Sequence, residues 1–226
     1  METFINWFLE FNRFSALAGS LYFIFFIRDK KHTTVLVFII LVCSLLADNL
    51  NYFFVRIYSN SFIVSNSWYI ANFIVSLILF QHLLKSRKFL ISLLITVFFI
   101  GSILSFTYFF KLTESNTFIR LFSNSTFIFL SLAFYLELLK KPDGRLRKHP
   151  YFWIASSFFI YNSVLLLQSL FKNFLIFDLQ ISKAAYAWIL FISLSANITK
   201  NFILFYALVL IDKGYPDTLK PKSAKA

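Results

Sequence analysis

Lys200 sits in "ANITKNFILF" (Ala196–Phe205), with Asn197 and Asn201 beside it, inside a long apolar run. A cation and two amides in such a place can bind a small polar ligand, serve as a charge switch or pass an ion. An ionisable group within an apolar span is expensive unless paired or wetted, so it marks a functional position by default. The best partner in the chain is Asp48, in "LLADNLNYFF". Ser44, Asp48 and Asn51 recur at i, i+4 and i+7, and Ser193, Asn197, Lys200 and Asn201 repeat the pattern. Polar stripes at helical spacing face a bundle interior rather than lipid. Asn162 and Asn72 fall in neighbouring apolar runs and complete the candidate set: Asp48, Lys200, Asn51, Asn72, Asn162, Asn197 and Asn201. Asparagine and serine also bond between membrane helices as plain glue, at about 0.6–2 kcal/mol each. That reading competes at every single Asn.

The elements that must carry these residues are long. Of 226 residues 59% are apolar and only 14% charged, against about 25% charged in ordinary soluble domains. A soluble fold of this size has nowhere to hide that much apolar surface, so the bilayer is the expected solvent. Apolar runs at about 8–27, 34–56, 66–84, 89–110, 117–139, 151–171 and 186–211 are each long enough to cross it. Backbone groups in lipid must bond within their own segment, so each run is helical. No run shows the period-two alternation of a barrel strand. The expected fold class is all-α: a polytopic membrane protein with a seven-transmembrane-helix bundle over 1–211 and a basic tail over 212–226.

The net charge of +12 is not a nucleic-acid signal, because of where it lies. Arg28, Lys30 and Lys31, then Lys85, Arg87 and Lys88, then Lys140, Lys141, Arg145, Arg147 and Lys148, then four lysines of the tail all fall on alternate connections. The other side holds only Arg13, Arg56, Lys111, Arg120, Lys172 and Lys183. The positive-inside bias places the amino terminus outside and the carboxyl terminus in the cytoplasm. A bacterial inner membrane is the expected location. Arg56, Arg120 and Lys172 read as helix-end residues that snorkel, or that draw an anion to the outer mouth. Trp68 and Tyr69 at one face, and Tyr151 and Trp153 at the other, fit interfacial belts. "SALAG" (Ser15–Gly19) precedes the most apolar part of the first run, so an uncleaved first span is expected.

Counting at helical rise puts Lys200 roughly 16 Å and Asp48 roughly 21 Å from the same face, about one turn apart. A lysine side chain covers that gap, so the expectation is an inward Lys200 that meets Asp48.

Other chemistry finds little support. The single Cys43 excludes a disulfide within the chain. There is no G-x-S-x-G, H-E-x-x-H or P-loop, and an enzyme is not expected. His32, His82 and His149 fall on one face, where helix-end histidines among basic loops need no metal. Glu137 stands four residues before Lys141, a favourable pair along a helix. No cofactor is called for. A lysine in a seventh helix resembles the retinal attachment of microbial rhodopsins. That family places Asp four residues earlier, where this chain has Ala196, and wants a carboxylate on the third helix, where it has Asn72 and Ser76. Transporters commonly break their helices at Gly or Pro around the site. Here every Pro lies in a loop, the tail or a helix start, so unbroken helices are expected.

"PYFWIASSFFIYNS" (Pro150–Ser163), followed by Trp188, Asn197, Asn201 and Tyr206, resembles seven-helix bacterial membrane proteins of the sensor-module type, found beside signalling kinases. The resemblance covers about the last third of the chain. It implies a receptor-like or regulatory protein that signals through a cytoplasmic or membrane partner. A small-solute or ion permease and a structural subunit are the alternatives. The lipid bilayer is the one partner composition requires; ligand and oligomeric state stay open at this level.

Overall fold

The computed structural model describes residues 2–28, 31–84, 87–109, 111, 116–140, 146–173 and 183–214. Among them the regular structure is helical throughout. In chain order the helices are α1 (Glu2–Phe14), α2 (Leu17–Phe25), α3 (His32–Tyr58), α4 (Phe62–Leu83), α5 (Lys88–Tyr108), α6 (Thr117–Leu139), α7 (Pro150–Asn173) and α8 (Lys183–Asp212). The helices α3 to α8 are each long and apolar enough to cross a membrane, which marks a multi-pass membrane protein. They match six of the seven expected spans to within a few residues. Large apolar side chains such as Phe25, Phe89, Ile103 and Leu139 are exposed on the outside, where lipid tails are their natural neighbours.

The first expected span, 8–27, is not one helix. It breaks at Ser15 and Ala16 into α1 and α2, with no Pro or Gly at the break. The cause is side-chain competition for the backbone. The Ser15 hydroxyl donates to the Asn12 carbonyl at 2.8 Å, and the Ser15 N–H donates to that same carbonyl at 3.1 Å. This tight turn replaces one step of the α-helical ladder. The Ser20 amide restarts the ladder by donating to Ala16 at 3.2 Å. The expectation of unbroken helices is therefore corrected at this point.

Each long helix runs antiparallel to the next. Asn51 on α3 meets Ser65 on α4, and His32 packs against His82 at the opposite ends of the same pair, with ring centroids 4.4 Å apart. On α7 and α8, Gln168 meets Ser193 at one end and Trp153 packs on Tyr206 at the other. Both α1 and α2 lie along α3 and α8, α3 also touches α8, and α5 flanks the outside of α4 and α6. The interior is aromatic. Phe73, Phe80, Phe98, Phe127 and Phe158 are fully buried and form a connected stack between α4, α5, α6 and α7. Gly19 allows a close approach of α2 to α3 and α8. A Cβ there would lie 2.7 Å from Leu41 Cδ1 on α3 and 3.4 Å from Phe205 Cβ on α8.

Two polar fixtures hold the ends. Asn116 caps α6: its Oδ1 accepts from the Ile119 amide and from the Ser105 hydroxyl of α5, each at 3.1 Å. At the opposite end Tyr22 of α2 donates to Asp212 of α8 at 2.9 Å. Beyond Asp212, Gly214 turns the chain at φ +73° and closes α8. The expected tail otherwise lies outside the described residues. Glu137 forms an ion pair at 3.4 Å with Arg87, the residue before α5, whereas its expected partner Lys141 lies outside the described residues.

Candidate functional site

The centre of the bundle is where α1, α3, α7 and α8 bring their polar residues together. Since α3 and α8 are antiparallel, Ser44 stands level with Lys200, and Asp48 level with Asn197. Lys200 is buried, 3% exposed, and faces inward as its stripe requires. Its ammonium donates to Ser44 Oγ at 3.3 Å and lies 4.4 Å from the centre of the Tyr161 ring on α7. A desolvated ammonium over an aromatic face gains electrostatically from the ring quadrupole.

Asp48 is reached by a different route. Asn197 Nδ2 donates to Asp48 Oδ2 at 3.2 Å and to Asn12 Oδ1 of α1 at 2.9 Å. Asp48 and Lys200 attract one another, but they form no direct ion pair. The expected contact is thus replaced by two parallel rungs, Lys200–Ser44 and Asn197–Asp48, one turn apart. The lysine stays at its own depth because Ser44 and Tyr161 satisfy it there.

Asn201 carries the network to the break in the first span. Its Nδ2 donates to Ser15 Oγ at 2.7 Å, and Ser15 in turn donates to the Asn12 carbonyl. One face of α8, Asn197 and Asn201, therefore holds both Asn12 and Ser15, on the two sides of the missing ladder step. Arg13 extends the ionic pattern outward. It pairs with Glu10 at 2.8 Å, donates to Asn49 Oδ1 at 3.0 Å and covers the Tyr52 ring at 4.0 Å.

The other candidates bond elsewhere. Asn51 accepts from Ser65 at 3.1 Å, in the seam between α3 and α4. Asn162 Nδ2 turns back on its own helix to the Phe158 carbonyl at 2.7 Å. Asn72 Oδ1 accepts from Ser76 Oγ at 3.4 Å, also within its helix. These three have local partners that suffice to explain them. Tyr69, expected in an interfacial belt, is partly buried and packs on the core under the Arg120 guanidinium, 5.2 Å from its ring centre.

Sequence reasoning missed Ser15, Ser44 as the lysine's partner, Tyr161 and Asn124, and it read Arg120 only as a helix-end residue. A signal for Arg120 and Asn124 existed. Arg120, Asn124, Phe127 and Ser131 recur at i, i+4, i+7 and i+11, the same inward stripe found on α3 and α8. No protein-family model, curated protein or solved structure matches this chain.

Proposed function

We propose that this chain is a receptor-like or regulatory membrane protein whose polar centre binds a small ligand or acts as a two-state switch. The observation that carries the reading is the buried network Ser44–Lys200–Tyr161 beside Asp48–Asn197–Asn12. Membrane interiors keep a charge only where something offsets its desolvation, and this bundle spends three helices and a helix break on holding one. Mere adhesion between helices needs no ionisable group, since serine and asparagine supply it.

The proposal includes a topology. The halves α1 and α2 run alongside α8 in the same direction, from Phe8 against Phe191 to Tyr22 against Asp212. Together they form a seventh, interrupted crossing. The described basic residues Arg28, Lys31, Arg87, Lys140, Arg147, Lys148 and Lys213 flank the ends that His32, His82 and Asp212 share. Positive-inside bias makes that end cytoplasmic, in a bacterial inner membrane, with the amino terminus outside. The resemblance of 150–163 to sensor-type modules fits a partner on that face. A green fluorescent protein fused after Ala226 is expected to fluoresce, and an alkaline phosphatase fused there to be inactive. The reverse pair overturns the orientation.

The functional test is complementation. A strain lacking the gene is supplied with the wild type, Asp48→Asn or Lys200→Met, each quantified in the membrane fraction. Both variants are expected to accumulate yet fail to restore the wild-type expression profile. Full rescue by both removes the basis of the reading. One observation favours a permease as the second reading: the interrupted α1–α2 crossing meets the polar centre, as broken helices do at transporter sites. Solute or proton flux in proteoliposomes, lost in both variants, would select it.

A further inference from the structure

Beyond the Lys200 network, the inward face of α6 holds polar groups that its own bundle leaves unsatisfied. Asn124 is 1% exposed, and neither its amide nitrogen nor its carbonyl oxygen has a hydrogen-bond partner among the described residues. Arg120, one turn away, has a buried Nε in the same condition, and its guanidinium lies over the Tyr69 ring. Phe127, the next residue of the stripe, packs on Phe73, Phe80 and Phe158, which fixes this face as interior. Buried amides are nearly always paired, so one with both atoms bare is an anomaly that asks for a partner.

The surroundings specify the partner's chemistry. Tyr161 lies within electrostatic range of Tyr69, Arg120 and Asp48, so the two cation–ring pairs, Arg120 on Tyr69 and Lys200 on Tyr161, belong to one neighbourhood. That neighbourhood contains the inward cations Arg120 and Lys200, the Arg13–Glu10 pair, which balances itself, and the Asp48 carboxylate, whose Oδ2 is already engaged by Asn197. The unfilled need is for a single negative charge. A guanidinium and an amide N–H₂ side by side match the two acceptor oxygens of a carboxylate. Asn124 Oδ1 then asks for a donor on the same ligand. A dianion is disfavoured by Asp48 across the centre.

We infer that Arg120 and Asn124 form a binding site for a small monocarboxylate that also carries a hydroxyl or similar donor. Lys200 adds its field and Tyr69 and Tyr161 form the walls. The inference rests on the ligand-binding reading of the polar centre and names the class of ligand for it. Arg120 supplies the fork, and Asn124 reads the donor next to the carboxylate.

The test uses the full chain in lipid nanodiscs, with melting followed against four probes: lactate, propionate, lactamide and chloride. Lactate is expected to raise the melting temperature saturably, propionate less, and lactamide and chloride not at all. Arg120→Gln should weaken the apparent lactate affinity at least about tenfold, the loss of one charge-assisted hydrogen bond. Arg120→Lys keeps the charge without the fork and should fall between. Asn124→Leu, close in volume, should abolish the preference for lactate over propionate. If Arg120→Gln fails to fold, Arg120→Lys and Asn124→Leu decide the matter. No saturable response to either carboxylate, an equal response to chloride, or lactate binding unchanged in all three variants overturns the inference. A failure here with Asp48→Asn and Lys200→Met still unable to complement overturns the ligand class alone. Rescue by those two variants overturns the reading beneath it.

Discussion

A double-mutant cycle on Asp48 and Lys200 tests the indirect geometry of the centre. The perturbations are Asp48→Asn, Lys200→Met and both together. Lys200→Met forfeits a cation–ring contact of roughly 0.5–2 kcal/mol and a charge-donated hydrogen bond to Ser44 of roughly 1.5–3 kcal/mol. It also relieves the burial of an ammonium, an effective cost of several kcal/mol. The single variant therefore has a small net effect whose sign the balance alone does not set. Asp48→Asn is subject to the same balance. It adds the penalty of a cation buried without its counter-charge, and it relieves the burial of the carboxylate itself. In the Lys200→Met background that penalty disappears, and the difference between the two backgrounds is the coupling energy.

Its size follows from the separation. Direct contact at 4 Å gives about 4 kcal/mol at an effective dielectric near 20. Asp48 and Lys200 form no such contact and stand on adjacent rungs, so the expected coupling is roughly 1–3 kcal/mol. Unfolding in lipid–detergent micelles with increasing dodecyl sulfate, followed through the four tryptophans, measures all four species. The pair Asn12 and Asn197, each changed to Leu, is the neutral reference, with about 0.6 kcal/mol expected for a bond between membrane helices. A coupling well above 4 kcal/mol would mean a direct ion pair and would refute the two-rung arrangement. A coupling below that of the asparagine pair would mean that the two charges share no environment.

Two further perturbations probe the frame around the centre. Gly19→Leu places a branched side chain where even a Cβ meets Leu41 Cδ1 at 2.7 Å, and should destabilise by about 1–3 kcal/mol in the same unfolding assay. Gly19→Ala should cost less, because the far end of Leu41 can yield. Asn116→Leu removes the α6 cap and the bond from Ser105 together, so a loss of about 1–2 kcal/mol is expected, with Asn116→Asp restoring most of it. Hydrogen exchange in the first turn of α6 should accelerate in the Leu variant and not in the Asp variant.

The long helices were legible because lipid imposes a minimum apolar length, and α3 to α8 each meet it in unbroken runs. The break between α1 and α2 was not, since it depends on Asn201 reaching Ser15 from a helix 186 residues away. Nothing within "NRFSALAG" distinguishes that serine from one that merely bonds back along its helix. Depth counting found the one-turn offset between Asp48 and Lys200 correctly. It erred in asking the lysine to climb. Two neighbours invisible to spacing on one helix, Ser44 across the seam and Tyr161 on α7, hold the ammonium level, and Asn197 closes the distance to Asp48 instead. Asn51, Asn72 and Asn162 share the composition of the site without entering its hydrogen bonds, because helical spacing says which face a residue is on and not which neighbour that face meets.

The break and the charge share one face of α8. Asn197 and Asn201 on α8 hold Asn12 and Ser15, so on the switch reading proposed above a shift of α8 would let the Asn12 carbonyl leave the Ser15 turn and rejoin a continuous helix. Lys200 lies between those two asparagines in sequence and on the same buried face. On that reading, an anion arriving near Tyr161 would alter the need for its charge and change the force on α8 at the point where α8 holds the interruption. A continuous first helix would lack this lever. Ser15→Ala removes the hydroxyl that competes for the Asn12 carbonyl and that receives Asn201, so it should favour continuity and uncouple the two. Its expected signature is slower hydrogen exchange at residues 15–19 with the Asp48–Lys200 coupling unchanged. Unchanged exchange there would show that the turn is set by packing around Gly19 rather than by the hydroxyl, and the lever would be lost.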